Sequence, residues 1–247
     1  MQAKVKIVAT LLFCIIVVTE YSWAQLATIG FSIGPVYSSQ KIKNTSGVPT
    51  ANNYHSYSEA MVSIIGQYNI QKNFGLLFDV GYCNRGVSIS QPVTVTTLDP
   101  TTYDTVLVNK KNSYQNNLAY LDNYLMAKYT YGNKVRVYAD AGLYYSFLLK
   151  AKQYVSDEYY NYNTNAPSEA KGFYTDSITS SYRRSDFGLA VGLGIEYGRF
   201  GLDYRYSRSI MDISKSPGLA TIHNSFSTVK LIFKFVKIQK EYFKDDE

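Results

Sequence analysis

The chain has 247 residues, with 25 Lys or Arg against 19 Asp or Glu and a formal net charge of +6. The basic residues are scattered among acids instead of gathered in one block, so the electrostatic footprint of a nucleic-acid binder is absent. Two cysteines are too few for a cysteine-based zinc cage, and the conspicuous residue is tyrosine, at 25 positions.

The chain opens with basic Lys4 and Lys6, continues with an apolar stretch from Ile7 to Val18 and closes with Ser22-Trp23-Ala24 before Gln25. That is the order of a cleaved secretory signal, so residues 1–24 are expected to be a signal peptide and the protein to be exported. The alternative is a retained anchor, but the apolar stretch falls short of the roughly 20 residues that span a bilayer as a helix. Lipidation at Cys14 is not expected, because bulky Phe13 stands where a small residue belongs. With Cys14 removed, Cys83 is alone and no intrachain disulfide can form.

After residue 24 no apolar run approaches helix-spanning length. Period-two alternation recurs instead, and apolar spacing at three and four residues is absent, so the fold is expected to be all-β. The expected strands are 26–38, 57–70, 74–88, 117–130, 135–149, 185–197, 200–210 and 225–236. Between them, tight turns at Gln71-Lys72-Asn73, Tyr131-Gly132-Asn133-Lys134 and Gly198-Arg199 alternate with long polar loops at 39–56, 89–116, 150–184 and 211–224. Strict alternation of short and long connections is the pattern of an outer-membrane barrel with periplasmic turns and extracellular loops.

The faces of the strands agree with one another. Along 185–197, Phe187, Leu189, Val191, Leu193, Ile195 and Tyr197 share one face and Asp186, Gly188, Ala190, Gly192, Gly194 and Glu196 the other. Leu202, Tyr204 and Tyr206 oppose Asp203, Arg205 and Ser207; Val135, Val137, Ala139, Ala141 and Leu143 oppose Arg136, Tyr138, Asp140 and Gly142. A soluble lipocalin-like carrier would turn the apolar face inward. Apolar positions ending in Tyr129, Tyr197, Tyr204 and Tyr206 suit a lipid-facing band with an aromatic girdle, and the expectation is an eight-stranded antiparallel up-and-down transmembrane β-barrel over 25–236 with a charged periplasmic tail at 237–247.

Continuing the phase puts Glu59, Asp79, Asp122, Asp140, Asp186, Glu196 and Asp203 inside, with Arg85, Lys128, Arg136, Arg205, Lys230 and Lys234. An eight-stranded barrel is just wide enough for side chains to fill, so these charges are expected to pair across the lumen as a structural network and leave no diffusion pore. A proton or ion path is the functional alternative. Cys83 is expected on the lumen side near Asp79 and Arg85.

The segment Leu121-Asp122-Asn123-Tyr124-Leu125-Met126-Ala127-Lys128-Tyr129 resembles the L-E-I-P-L-L-L-K-Y strand of PorT-like outer-membrane β-barrel proteins. Asp186-Phe187-Gly188 with Gly192 and Gly194, then Asp203-Tyr204-Arg205-Tyr206-Ser207 running to Asp212-Ile213, resemble the family's sixth and seventh strands, and Gly30 to Gly34 its opening strand. The chain departs from the pattern at Tyr124, where Pro is frequent, at Ser209, where Gly is common, and in the charged tail after Phe235. The resemblance implies a barrel. It also implies, through the family's eponym, an association with type IX protein export across the outer membrane.

No catalytic residue, cofactor or metal site is expected. A lipid-modifying hydrolase would need an activated nucleophile beside a base, and the only histidines are His55 in a loop and His223, two residues before Ser225. The acid pairs Asp157-Glu158 and Asp245-Asp246-Glu247 lack calcium-loop spacing. Residues 150–184 carry Tyr154, Tyr159, Tyr160, Tyr162, Tyr174 and Tyr182 among Asn, Ser and Thr, a composition that suits binding a protein or glycan outside the cell and equally suits exposed strand extensions that use Tyr only to stay flat and soluble. Asp104-Thr105-Val106 and Asp176-Ser177-Ile178 resemble an O-glycosylation acceptor. The expected function is non-enzymatic: a structural, secretion-assembly or surface-binding outer-membrane barrel in contact with outer-membrane lipid, meeting a protein or glycan partner through its external loops or on the periplasmic side through its turns and tail. A lipid hydrolase and a soluble periplasmic carrier are the alternatives.

Overall fold

The computed structural model describes residues 27–44, 54–98, 105–161, 167–215 and 220–237. The expected signal peptide, and the tail from residue 238 onward, lie outside them. Among the described residues there are nine strands: β1 (Ala27–Asn44), β2 (Tyr54–Asn69), β3 (Phe74–Leu98), β4 (Thr105–Tyr131), β5 (Val135–Asn161), β6 (Pro167–Ser177), β7 (Ser185–Tyr197), β8 (Phe200–Ser209) and β9 (Ala220–Lys237).

Eight of these strands form a closed antiparallel ring. Each of β1 to β5 pairs with the next, β5 pairs with β7, β7 with β8, β8 with β9, and β9 returns to β1. Closure removes every sheet edge at ring level, which a lipid environment demands because unpaired backbone groups find no water there. Three connections are tight, at residues 70–73, 132–134 and 198–199, and among the described residues the two glycines with positive φ, Gly132 (108°) and Gly198 (57°), sit in two of them.

The faces decide which side meets lipid. Ile64, Leu193 and Leu231 are each more than 60% exposed, and Phe31, Ile33, Phe78, Val80, Leu125, Val137, Val191 and Leu202 are exposed around the ring. Asp79, Asp122, Asp186 and Asp203 are fully buried. Apolar residues point out and charges point in, the reverse of a soluble carrier, so the lipocalin-like alternative is excluded. Tyr129, Tyr131 and Tyr197 at the tight-turn end, and Tyr37, Tyr82 and Tyr145 toward the other, border the apolar band as interfacial girdles do.

The strands outrun the expected boundaries at their external ends. Residues 89–98 and 105–116, expected as loop, continue β3 and β4 in unbroken register to Leu98 opposite Thr105. Residues 150–161 continue β5, and β6 pairs with that extension from Lys152 opposite Ser177 to Tyr160 opposite Pro167. The alternation in Val93-Thr94-Val95-Thr96 and Val106-Leu107-Val108 is strand-like but carries no apolar face deep enough to distinguish it from loop. A further sheet forms because each strand finds a neighbour, a non-local fact.

A second departure lies at the external mouth. Ile178, the short 3-10 turn Thr179–Ser181 and Tyr182 fold inward, and residues 210–215 meet them. Tyr182 pairs with Ser214, the Arg183 backbone N–H donates to the Ile213 carbonyl at 2.7 Å, and the Ile213 N–H donates to the Ile222 carbonyl at 3.0 Å. Ile213 is fully buried and Tyr182 nearly so, packed in one cluster with Leu118, Tyr120, Leu148, Ala151 and Phe226. Tyr182 was expected on a surface loop; here it is part of a cap. Its hydroxyl accepts a hydrogen bond from the Asn116 side-chain amide at 3.3 Å, and burial pushes its ionisation up to about 12.

Candidate functional site

The lumen is the densest collection of chemistry in the molecule, and it is arranged in three groups. At the end nearest the tight turns, Glu196 on β7 collects three cations: Lys128 on β4, Arg136 on β5 at 2.8 Å and Lys234 on β9 at 2.6 Å. Lys128 also donates to the Gln67 side-chain oxygen at 3.1 Å and lies 3.7 Å from the Tyr138 ring centre. Arg136 is only half-buried, unlike its companions, because it sits one residue inside β5 beside the turn.

In the middle group, Arg205 on β8 contacts Asp79 at 2.9 Å, Asp203 at 3.4 Å and Asp140 at 3.5 Å. Lys230 on β9 pairs with Asp79 and lies 3.5 Å from Asp203, whose other oxygen accepts the Tyr138 hydroxyl at 2.8 Å. Toward the mouth, Arg85 on β3 pairs with Asp122 and lies 3.7 Å from Asp186. Its guanidinium is held between the Tyr120 and Phe226 rings, 4.1 and 4.0 Å from their centres, as cation–π contacts require. Asp186 also accepts from Ser209 at 2.6 Å and from the Asn224 amide at 2.9 Å.

Backbone geometry makes this crowding possible. A methyl group on Gly192 would come within 2.3 Å of an Asp140 oxygen, and one on Gly194 within 2.2 Å of the Tyr138 ring. These two β7 positions are the room into which β5 projects its long side chains. Cys83 lies on the lumen side as expected, its thiol donating to Asp122 at 3.0 Å. Glu59 is half-buried and stands opposite Val36 in the β1–β2 ladder.

The charges in the groups sum to zero but are not evenly placed. Glu196 faces three cations, the middle group sets three carboxylates against Arg205 and Lys230, and the outer group sets two carboxylates against Arg85. The inner end is therefore positive and the outer part negative. Large side chains occupy the section throughout, with Arg85, Arg205, Tyr120, Tyr144 and Lys128 among the largest that are fully buried. The hydrophobic cap then closes the mouth. No wide aqueous channel fits such a section.

The sequence of residues 23–215 matches the family model described as outer membrane protein beta-barrel domain. The chain belongs to this family. As a member of the outer membrane barrel family it resides in the cell outer membrane, crossing it with the eight ring strands. No curated protein matches the sequence. Among solved structures, the attachment invasion locus protein Ail of Yersinia pestis is similar at 14% identity over 85% of this chain and 99% of that one, with a TM-score of 0.34. OprG of Pseudomonas aeruginosa is similar at 13% identity over 85% and 95%, with a TM-score of 0.41. The outer membrane protease OmpT of Escherichia coli is similar at 10% identity over 87% and 99%, with a TM-score of 0.33.

His223, the histidine considered for hydrolysis, lies in β9 opposite Lys41. Ser225 shares a hydrogen bond with Ser39 at 2.9 Å, and among the described residues no hydrogen bond joins His223 to a serine or an acid. His55 lies in β2, with its side chain outside the described residues. Of the two glycosylation-like triplets, Ser177 is exposed at the end of β6, whereas Asp104 lies outside the described residues. Sequence reasoning missed Ile178, Tyr182 and Ile213 as the cap. Their one legible signal was large apolar or aromatic side chains, with Met211 and the adjoining Ile210 beside Ile213, in segments expected to be polar loop.

Proposed function

We propose that this barrel is a non-enzymatic surface-binding protein whose charged lumen is a structural plug and whose working surface is the external sheet built by β3, β4, β5 and β6. The observation that carries this reading is the ladder from Ser90 opposite Ser113 to Leu98 opposite Thr105, which lies beyond the last pairing of β3 with β2 at Ile89. Nine further pairs at about 3.3 Å each extend the sheet by roughly 30 Å. Crossing a bilayer takes only about 9–11 residues of a tilted strand, against 27 in β4 and in β5. A paired backbone outside the membrane holds side chains at fixed spacing, and preorganisation of that kind lowers the entropy cost of binding. The tyrosine-rich sequence of residues 154–174 suits contact with a protein or a glycan.

The non-enzymatic reading is supported by the engagement of Ser225 with Ser39 and by the pairing of the lumen acids with Arg and Lys. A secretion-assembly role is the second reading, favoured by the PorT-like segment Leu121–Tyr129. Whole cells displaying the full barrel, and cells displaying a variant with residues 92–111 and 157–172 trimmed, can be compared for retention on arrayed glycans and matrix proteins. The surface-binding reading expects retention that the trimmed variant loses although it still shifts on a gel when boiled. Equal retention by both would remove it, and co-purification of an export complex by both would favour secretion assembly.

A further inference from the structure

We infer that Lys41, Arg208 and His223 form a binding site on the outer wall of the barrel for the phosphate headgroup of an anionic outer-leaflet lipid. Alternation fixes the side on which they stand. Gln40 and Asn224 are buried toward the lumen, whereas Lys41 and Arg208 are exposed and His223 half-exposed, so all three project outward. The registers bring them together: Lys41 pairs directly with His223, and Arg208 pairs with Ser225, the next outward position on β9. Side chains directly opposite on antiparallel strands stand about 5 Å apart and diagonal ones about 7–8 Å. The three line an open recess of ≈ 370 Å³ with Tyr206 and Ser225.

The level of the recess identifies its occupant. Along β1 the outward positions run Ile29, Phe31, Ile33, Pro35, Tyr37, Ser39 and Lys41; along β8 they run Leu202, Tyr204, Tyr206 and Arg208. In both strands the apolar face ends in tyrosine and a cation follows toward the external side. Girdle tyrosines mark the headgroup region, so the cations stand where lipid phosphates stand, with stems able to reach along the apolar wall. Among the described residues none of the three has an ion-pair partner. The lumen, by contrast, pairs every one of its Lys and Arg residues named above. The wall site thus places basic side chains without ion-pair partners on the lipid side, at the depth where each cation attracts an anionic headgroup by about fivefold in partition.

The test uses the full-length barrel in zwitterionic phosphatidylcholine nanodiscs doped with a small fraction of phosphorylated lipid A, with the lipid retained after detergent extraction counted by native mass spectrometry. The expected result is retention of phosphorylated lipid A. The triple substitution Lys41→Gln, Arg208→Gln, His223→Gln should reduce it at least about tenfold, while Lys72→Gln with Lys134→Gln at the tight turns should leave it unchanged. Both variants must shift on boiling, and each single substitution repeats the comparison should the triple fail to fold. Equal loss in the tight-turn control, equal retention of dephosphorylated lipid A, or release of lipid A by millimolar inorganic phosphate would overturn the proposal, the last by assigning the recess to free phosphate.

Discussion

Replacing Arg205 with alanine tests what the lumen charges do for folding. Arg205 is fully buried and touches three carboxylates, but the three are not equally dependent on it. Asp79 and Asp203 keep Lys230, whereas Arg205 is the ion-pair partner of Asp140, whose oxygens accept no hydrogen bond. Arg205→Ala therefore leaves the middle group with three carboxylates and one cation, and Asp140 buried without compensation. Removing one member of a buried pair typically costs about 3–5 kcal/mol, most of it the desolvation of the charge left behind. The double variant Arg205→Met, Asp140→Asn removes both charges at similar volume and should recover more than half of that loss, with a coupling of about 2 kcal/mol in the cycle. Urea titration of the folded band in lipid, resolved on unboiled gels, measures Arg205→Ala and the four species of the cycle: the wild type, Arg205→Met, Asp140→Asn and the double variant. A loss below about 1 kcal/mol for Arg205→Ala, or a double variant as unstable as the sum of the singles, would refute the orphaned-carboxylate argument.

Gly194→Ala places a methyl 2.2 Å from the Tyr138 ring and 2.6 Å from the Leu202 carbonyl oxygen; a cost of about 1–3 kcal/mol is expected, read as an earlier unfolding midpoint on the same gels. Cys83, fully buried beside Asp122, should resist a maleimide in the folded barrel and react fully once boiled, and labelling without boiling would contradict the closed lumen. Planar-bilayer recordings should show no steady open channel, because the section is filled and capped; persistent large conductance steps would contradict that filling. Tyr182 ties the cap to an alkaline limit. Its ionisation is raised from the usual value near 10 to about 12, so its contribution is complete below pH 10 and fades as pH rises from about 10 to 12. Protease cleavage within 178–184 should rise over that window in the native barrel, and Tyr182→Phe should remove the pH dependence.

Much of this molecule is written locally. Alternation over Phe187–Tyr197 sets which side chains face lipid without reference to any other strand, because successive residues of a strand point to opposite faces. The glycines at 132 and 198 mark turns for equally local reasons, since positive φ is costly for other residues. The same period-two rule put the charged residues on the inner face of their strands and distinguished a barrel that spans the membrane from a helical one.

Partnership was not legible. Arg205 and Asp79 are 126 residues apart, and Lys230 and Asp79 151; ring closure and strand tilt alone decide that they meet. The same holds for the external sheet, where polar alternating segments became strands because β3, β4, β5 and β6 align, and for the cap, where Tyr182 and Ile213 are brought to the mouth by pairing across two connections. Lys41 and His223 fall in expected loops and Arg208 in an expected strand, and nothing joins them until the β1–β9 and β8–β9 registers set them side by side. The sequence by itself determined face, turn and the class of membrane structure, all functions of neighbouring residues. Tertiary structure decided which charges compensate one another and which remain facing the lipid, because those depend on register between strands far apart in the chain.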